Sequence, residues 1–339
     1  MNLGKTPLLS TLFAALVSFD ACADPRVVPP PSHPTPAPGP STELPAPHPT
    51  GEPTPGGRTQ VRFLDVGQGD AAVITTDDGA TLVIDLGPKD GFPRVVAELA
   101  SSGPYAVLVS HAHADHLGEL DKLPGLTKSS PLALWEPGFS EKASSTYPKA
   151  LALFERLHVP RVVARSGMHF ALGAHTELEV LGPREPLFHG TRSDPNANSV
   201  VVRLTHRSEN GAERVLFTGD AERPTETRLL EAPEKLAADV LKVAHHGSKH
   251  ASSADLLRAV GAKVAVISCA RDNDYGHPHA PALKRLAAAG AEIHRTDLEG
   301  DVTVELEHGR VTTRTVRHAT PEELARPGRE PTRGQAEAP

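Results

Sequence analysis

The hexapeptide His111-Ala-His113-Ala-Asp115-His116 puts three imidazoles and a carboxylate within six residues, directly after the apolar run Tyr105-Ala-Val-Leu-Val109. So many polar groups at the end of a buried strand are costly unless something holds them together. A transition metal does so, because imidazole nitrogen and carboxylate oxygen are the ordinary ligands of zinc and its neighbours. In an extended turn His111 and His113 point one way, Asp115 and His116 another. That alternation suits two adjacent ions, which can grip both the attacking and the leaving oxygen of a hydrolysis. A solvated histidine-rich loop is the plain alternative, and the rest of the chain argues against it.

Other chemistry-bearing groups recur at strand ends. Thr218-Gly-Asp220 closes the apolar run Arg214-Val-Leu-Phe-Thr218. Asp220 either caps a helix starting near Glu222 or, beside the histidine motif, bridges two metals. Leu241-Lys-Val-Ala-His245-His246-Gly-Ser248 repeats the arrangement. One imidazole can complete a metal shell while the other serves the leaving group, and spacing does not say which. Gly247 and Ser248 at a helix start would add anion-binding amides. Asn273-Asp-Tyr-Gly-His277-Pro-His279 is a turn or a substrate-contacting loop. Asp85 ends an early strand, from where it can hydrogen-bond and orient the metal loop.

These pieces do not occupy the whole chain of 339 residues. Met1 to Phe19 has the charged start and short apolar core of an export signal, too short to span a bilayer as a stable helix. Two processing patterns overlap there. Ala21-Cys22-Ala23 suits an ordinary signal peptidase, whereas Phe19-Asp-Ala-Cys22 is a degenerate lipobox that would make Cys22 a lipid anchor. We take residues 1–22 as leader and 23–58 as linker, since residues 24–57 hold 13 of the 33 prolines. A segment of that composition forms a semi-rigid spacer, roughly 100 Å long at ~3.1 Å per residue. Residues 318–339 are poor in apolar side chains and read as a frayed tail. The span 59–317 is one domain of ordinary upper size. Cys269, the other cysteine, lies in an apolar run, so no intrachain disulfide is expected in the mature domain. The net charge of −7 gives no global basic field for nucleic acid or acidic lipid.

Short β-branched runs alternate with helical spacings throughout that domain. Strands are expected at 61–66, 71–75, 81–85 and 105–109, then near 131–135, 161–164 and 177–181. A second series runs 199–204, 214–218, 239–243, 263–268, 291–295, 302–306 and 311–316. Helices fall at 92–100, 116–122, 144–157, 222–231, 252–260 and 281–289. Two sheet-plus-helix halves with ligands at strand ends suggest two sheets packed face to face with helices outside.

In this order the motifs resemble the metallo-β-lactamase-fold hydrolases, and more closely the extracytoplasmic hydrolase domain of the ComEC DNA-uptake proteins. The residues that carry the resemblance are Phe63-Leu-Asp65-Val-Gly-Gln-Gly-Asp70-Ala71, Ile84-Asp-Leu-Gly87, Ser110 to Gly118 and Asn198-Ser-Val-Val-Val-Arg-Leu204. Leu216 to Asp220, Leu241 to Ser248, Tyr275 to His279 and Arg295-Thr-Asp297 continue it. The resemblance implies an αββα four-layer α/β sandwich holding two divalent ions, with zinc the first choice and manganese the second. His111, His113 and Asp220 would hold one ion; Asp115, His116, Asp220 and His246 would hold the other. Asp115, His245 and His277 are then the catalytic groups, and Ser248, Asn198 and His279 contact substrate. Asp65, Asp70 and Asp85 would brace the ligands. The chain departs from the wider family where a further histidine usually follows the middle strands: Asp194-Pro-Asn196-Ala-Asn198 stands there, so Asn198 or water must substitute. ComEC proteins also carry a channel region. This chain has no apolar run of ~18 residues, so it is not expected to translocate DNA by itself.

The resulting expectation is an exported metal-dependent hydrolase of phosphodiesters, possible partners being single-stranded DNA and, through Cys22, a membrane. Its location would be a lipoprotein of the outer or inner membrane, or else the soluble periplasm or medium. Ester, thioester or lactam hydrolysis on the same scaffold is the first rival, since a fold does not fix its substrate. A catalytically idle tethered binding protein is the second, and it has no need of a complete ligand set.

Overall fold

The computed structural model describes residues 57–329. The expected leader with Cys22 and nearly all of the expected proline-rich linker lie outside the described residues. The first six strands are β1 (Thr59–Phe63), β2 (Ala72–Thr76), β3 (Thr81–Ile84), β4 (Tyr105–Leu108), β5 (Pro131–Glu136) and β6 (Arg161–Val163). Seven more follow: β7 (His169–Leu172), β8 (Thr176–Gly182), β9 (Val201–Ser208), β10 (Gly211–Phe217), β11 (Val240–Lys242), β12 (Val264–Ile267) and β13 (Glu292–Arg295). The last two, β14 (Val302–Glu307) and β15 (Arg310–Thr315), cross back to the first sheet and flank β1. One sheet thus has the order β15-β14-β1-β2-β3-β4-β5-β6, and the other β13-β12-β11-β10-β9-β8-β7.

Strands β3 to β6 pair in parallel, as do β10 to β13. Parallel neighbours need a crossover, and helices supply most of them. Phe92–Leu99 and Thr146–Arg156 cover the outer face of the first sheet, and Ala254–Val260 and Ala280–Ala288 that of the second. Every residue of β4 is buried: Ala106 and Leu108 enter the core between the sheets, Tyr105 and Val107 the layer under the helices. Burial on both faces is why this strand reads as a continuous apolar run. Phe63 meets Phe217 across the inner core at 5.8 Å, and Trp135 stacks on Phe170 at 4.0 Å. The result is the αββα sandwich the resemblance implies. Among the described residues no helix is long and apolar enough to cross a membrane.

The segment after His318, expected to fray, packs back onto the fold as far as it is described. Helix Pro321–Leu324 opens with a capping box between Thr320 and Glu323. Buried Arg295, gripped by Asp297 at 2.7 and 3.0 Å, donates to the carbonyls of Leu324 and Arg326. Gly328 N–H donates to Pro278 O at 2.9 Å. A Cβ on Gly328 would stand 2.2 Å from His277 O, so only glycine allows this approach.

Candidate metal centre

The site gathers where parallel strands of both sheets end, the usual place for ligands in such sheets. β4 delivers Ser110 and His111, β10 delivers Thr218-Gly-Asp220, and β11 delivers His245 and His246. Gly219 has φ +49°, and a Cβ there would lie 2.9 Å from Ser110 Cβ, so a side chain would push the two strand ends apart. His245 and His246 both take left-handed backbone, with φ of +50° and +53°. Such conformations cost non-glycine residues about 1–2 kcal/mol each. The strain turns two successive imidazoles into one site, whereas successive residues of a strand face opposite ways.

The ring nitrogens and carboxylates converge as two overlapping groups. His111 Nε2 lies 3.1 Å from His113 Nδ1 and 3.8 Å from Asp220 Oδ2. His116 Nε2 lies 3.3 Å from Asp220 Oδ1, and His246 Nε2 lies 3.2 Å from Asp115 Oδ2 and 3.7 Å from Asp220 Oδ2. One donor atom from each of Asp115, His116, Asp220 and His246 falls within 4.8 Å of all the others. Asp220 belongs to both groups. His245 Nε2 also comes within 3.7 Å of Asp220 Oδ2, but its Nδ1 is held by Glu222 Oε1 at 2.9 Å, and Glu222 in turn pairs with Arg192.

The far nitrogens of the second group are anchored. His116 Nδ1 donates to Asp85 Oδ2 at 2.8 Å, and Asp85 also accepts from Ser110 N and Ser110 Oγ, each at 2.7 Å. His246 Nδ1 donates to Ser268 O at 3.0 Å with Asp70 Oδ1 beside it at 3.2 Å. Asp70 is itself gripped by buried Lys242 at 2.7 Å. Each anchor leaves Nε2 aimed at the shared carboxylate, which is how a metal-binding imidazole is oriented. Asp85→Ala removes a buried ionic partner, a loss of roughly 3–5 kcal/mol. A Tm lowered by roughly 6–12 °C is therefore expected, and zinc affinity should weaken by about 10- to 100-fold. Thermal melts and zinc titration check both, and an unchanged affinity would remove Asp85 from the support of the centre.

Charge in the cluster is finely opposed. Burial resists ionisation of Asp220, yet His116, His245 and His246 outweigh it and hold the carboxyl well below its usual range. Burial likewise opposes a proton on His246, but Asp220, Asp70 and Asp115 push it up to about 10. His116 is raised well above its ordinary value against the same desolvation, by Asp220, Asp85 and Asp115. His111 and His113 go the other way, lowered chiefly by burial. The carboxylates thus call for positive charge, which protons on His116 and His246 provide in the metal-free chain.

A cleft of about 220 Å³ opens onto this cluster, walled by Gln68, Arg192, Ser193, Asn196, Tyr275 and His277 as well as Asp115, His245 and His246. A larger cavity of about 310 Å³ beside Phe188 and Arg228 contains none of the clustered ligands. Several expected contacts fall outside the cleft. Asn198 spends its amide on Phe188 N, Phe188 O and Asp194 O, because the one-turn helix Asp194–Ala197 turns it inward. Asn196 faces the cleft instead, and its buried Oδ1 has no hydrogen-bond partner among the described residues. Ser248 is buried and follows the turn Ala244–Gly247 instead of opening a helix; the next helix begins at Ala254. His279 accepts from Lys249 N and packs edge-on against His277 at 4.9 Å, behind the cleft wall. Asp65 faces Arg317 at 3.5 Å, whereas Asp70 lies beside His246 and Asp85 holds His116. Glu222, Lys242 and Gln68 were not singled out by the sequence reading. A lysine in a buried strand was the available signal for Lys242.

The family description "Metallo-beta-lactamase superfamily" matches residues 64–271. Among curated relatives, ComE operon protein 3 of Bacillus subtilis is 26% identical over 264 residues, covering 72% of this chain and 32% of that protein. Uncharacterized protein YcaI of Escherichia coli is 30% identical over 261 residues, covering 72% and 30%. The chain spans about a third of the length of these relatives. A solved metal-dependent hydrolase of the beta-lactamase superfamily superposes with a TM-score of 0.44 at 18% identity, covering 76% of this chain and 99% of that one. Because the superfamily description matches residues 64–271, across both sheets and up to the ligand cluster at their edge, the chain belongs to the metallo-beta-lactamase superfamily of metal-dependent hydrolases.

Proposed function

We propose that the chain is an exported metal-dependent phosphodiesterase, with single-stranded DNA the first substrate to try. The cleft lining carries this reading. Gln68, Arg192, Ser193, Asn196, His245 and His277 present hydrogen-bonding groups beside the ligand cluster, against one exposed ring, Tyr275. Such a wall, with the Arg192 guanidinium in it, suits an anion with several oxygens. The similarity to ComE operon protein 3 and the ordered ComEC-like motifs support the same substrate class.

Two divalent ions, zinc or manganese, fit the donors. His111, His113 and Asp220 would hold one, and Asp115, His116, Asp220 and His246 the other, with Asn196 Oδ1 a further oxygen within the same cleft. The fit rests on buried His116 Nε2, Asp220 Oδ1 and Asn196 Oδ1, none of which has a hydrogen-bond partner among the described residues. When bound, the ions supply Lewis acidity and bring the pKa of water down toward neutrality. Glu222 fixes His245 through Nδ1 and leaves Nε2 to pass a proton to the departing oxygen. His277 faces the charged oxygens of the substrate from the opposite loop.

The deciding experiment compares bis-p-nitrophenyl phosphate, single-stranded DNA, nitrocefin and a thioester on protein of measured metal content. Phosphodiester turnover with negligible nitrocefin hydrolysis is expected. Rapid nitrocefin hydrolysis beside an inert phosphodiester would hand the site to the lactam reading. As to location, Cys22 is expected to be the lipid-bearing mature N-terminus, with residues 23–58 lifting the enzyme clear of the bilayer. Mass spectrometry of the native N-terminal peptide checks this, and an unmodified peptide beginning at Asp24 would mean ordinary signal cleavage.

A further inference from the structure

We infer that Gln68 is a positioning residue that holds His277 as a neutral imidazole with its proton on Nε2, making it a hydrogen-bond donor to the substrate and not a proton carrier. The inference begins at a backbone group whose role is unambiguous. Ala270 N–H can only donate, and it meets Gln68 Oε1 at 3.1 Å. That contact orients the amide, so Gln68 Nε2 faces His277 Nδ1 at 3.3 Å. An amide nitrogen can only donate, so Nδ1 must offer its lone pair and the ring proton must sit on Nε2. The opposite amide orientation would set two N–H groups against each other at Ala270.

The ring has little freedom to escape this arrangement. His277 N–H donates to Asn273 Oδ1 at 2.9 Å, and Asn273 Nδ2 donates to His277 O at 2.7 Å. Tyr275 stacks on one face at 5.6 Å and 16°, and His279 closes edge-on. His277 lines the cleft, and Nε2 is the nitrogen it has left to present there. An Nε2–H aimed at developing negative charge stabilises it without a proton changing hands. Proton delivery then falls to His245, whose Nδ1 is held by a carboxylate rather than an amide. The division of labour rests on the phosphodiesterase reading; the tautomer does not.

The test uses the full chain, zinc-loaded and labelled with 15N-histidine, with His277→Gln to assign the signal. Long-range nitrogen–proton spectra separate protonated from bare ring nitrogens. In the wild type His277 should show a bare Nδ1 and a protonated Nε2. Gln68→Glu keeps an acceptor for Ala270 N–H but offers His277 no donor, so Nδ1 should become protonated; a merely structural glutamine would leave the ring unchanged. Gln68→Leu should lower kcat on bis-p-nitrophenyl phosphate by about tenfold or more, with KM and zinc content little altered. A protonated Nδ1 in the wild type, or an unaltered ring in Gln68→Glu, would overturn the inference. An inert wild type on that probe would overturn the phosphodiesterase reading instead, and the spectra alone would then decide the role of Gln68.

Discussion

Asp220→Ala is expected to release both ions and to lower kcat/KM by about 10³-fold or more. Asp220 lies in contact range of both groups, 3.8 Å from His111 Nε2, 3.3 Å from His116 Nε2 and 3.7 Å from His246 Nε2. Lewis-acid stabilisation amounts to several kcal/mol, and each ~1.4 kcal/mol is a factor of ten in rate. The same carboxylate is the largest favourable influence on the protons of His116 and His246 in the metal-free chain. The His246 pKa is raised, from 6.5 to about 10, so its proton contributes stability fully below pH 6.5 and loses that contribution as pH climbs through about 10. Metal loading runs the opposite way over that window, because each ion must displace a proton and binds more tightly as pH rises. Removing Asp220 should shift the window to lower pH. Elemental analysis and melts of chelated protein at several pH values measure all of this. Two ions retained in Asp220→Ala would end its shared role.

The neighbouring histidines should separate cleanly. His246→Ala is expected to lose one ion, since Nε2 of this buried ring lies 3.2 Å from Asp115 Oδ2 and its Nδ1 is fixed on Ser268 O. His245→Ala should keep both ions while kcat falls by about 10²- to 10⁴-fold, the usual range for a positioned proton donor. Glu222→Gln, which keeps the shape but not the charge behind His245, should fall between His245→Ala and wild type. Metal content and steady-state kinetics on the same preparations distinguish the two positions. Loss of an ion in His245→Ala, with both retained in His246→Ala, would exchange their roles.

The sequence made the sandwich legible because its central strands are buried on both faces, so β3, β4 and β12 announce themselves as unbroken apolar runs. The ligand motif was legible because its members are contiguous. Partners joined only by folding were hidden. Lys242 meets Asp70 across 172 positions and Gln68 meets Ala270 across 202, distances over which no local pattern carries information. The half-exposed β7 was also missed, as was the local turning that decides which amide of Asn196-Ala-Asn198 faces inward. There the one-turn helix Asp194–Ala197 commits Asn198 to its own loop and leaves Asn196 to the cleft.

The packed stretch after His318 alters what counts as the working unit. Gly328 lies against the backbone of Gly276 and His277, and Arg295 clamps the carbonyls just before it, so these residues form a clasp behind the loop that carries Tyr275 and His277. A fragment trimmed at residue 317 would keep every proposed metal ligand and still lose the backbone contacts that Gly328 makes at His277 and Pro278. Under the proposed function such a fragment is expected to keep its zinc content while kcat on bis-p-nitrophenyl phosphate falls; metal analysis and kinetics of the trimmed chain check this.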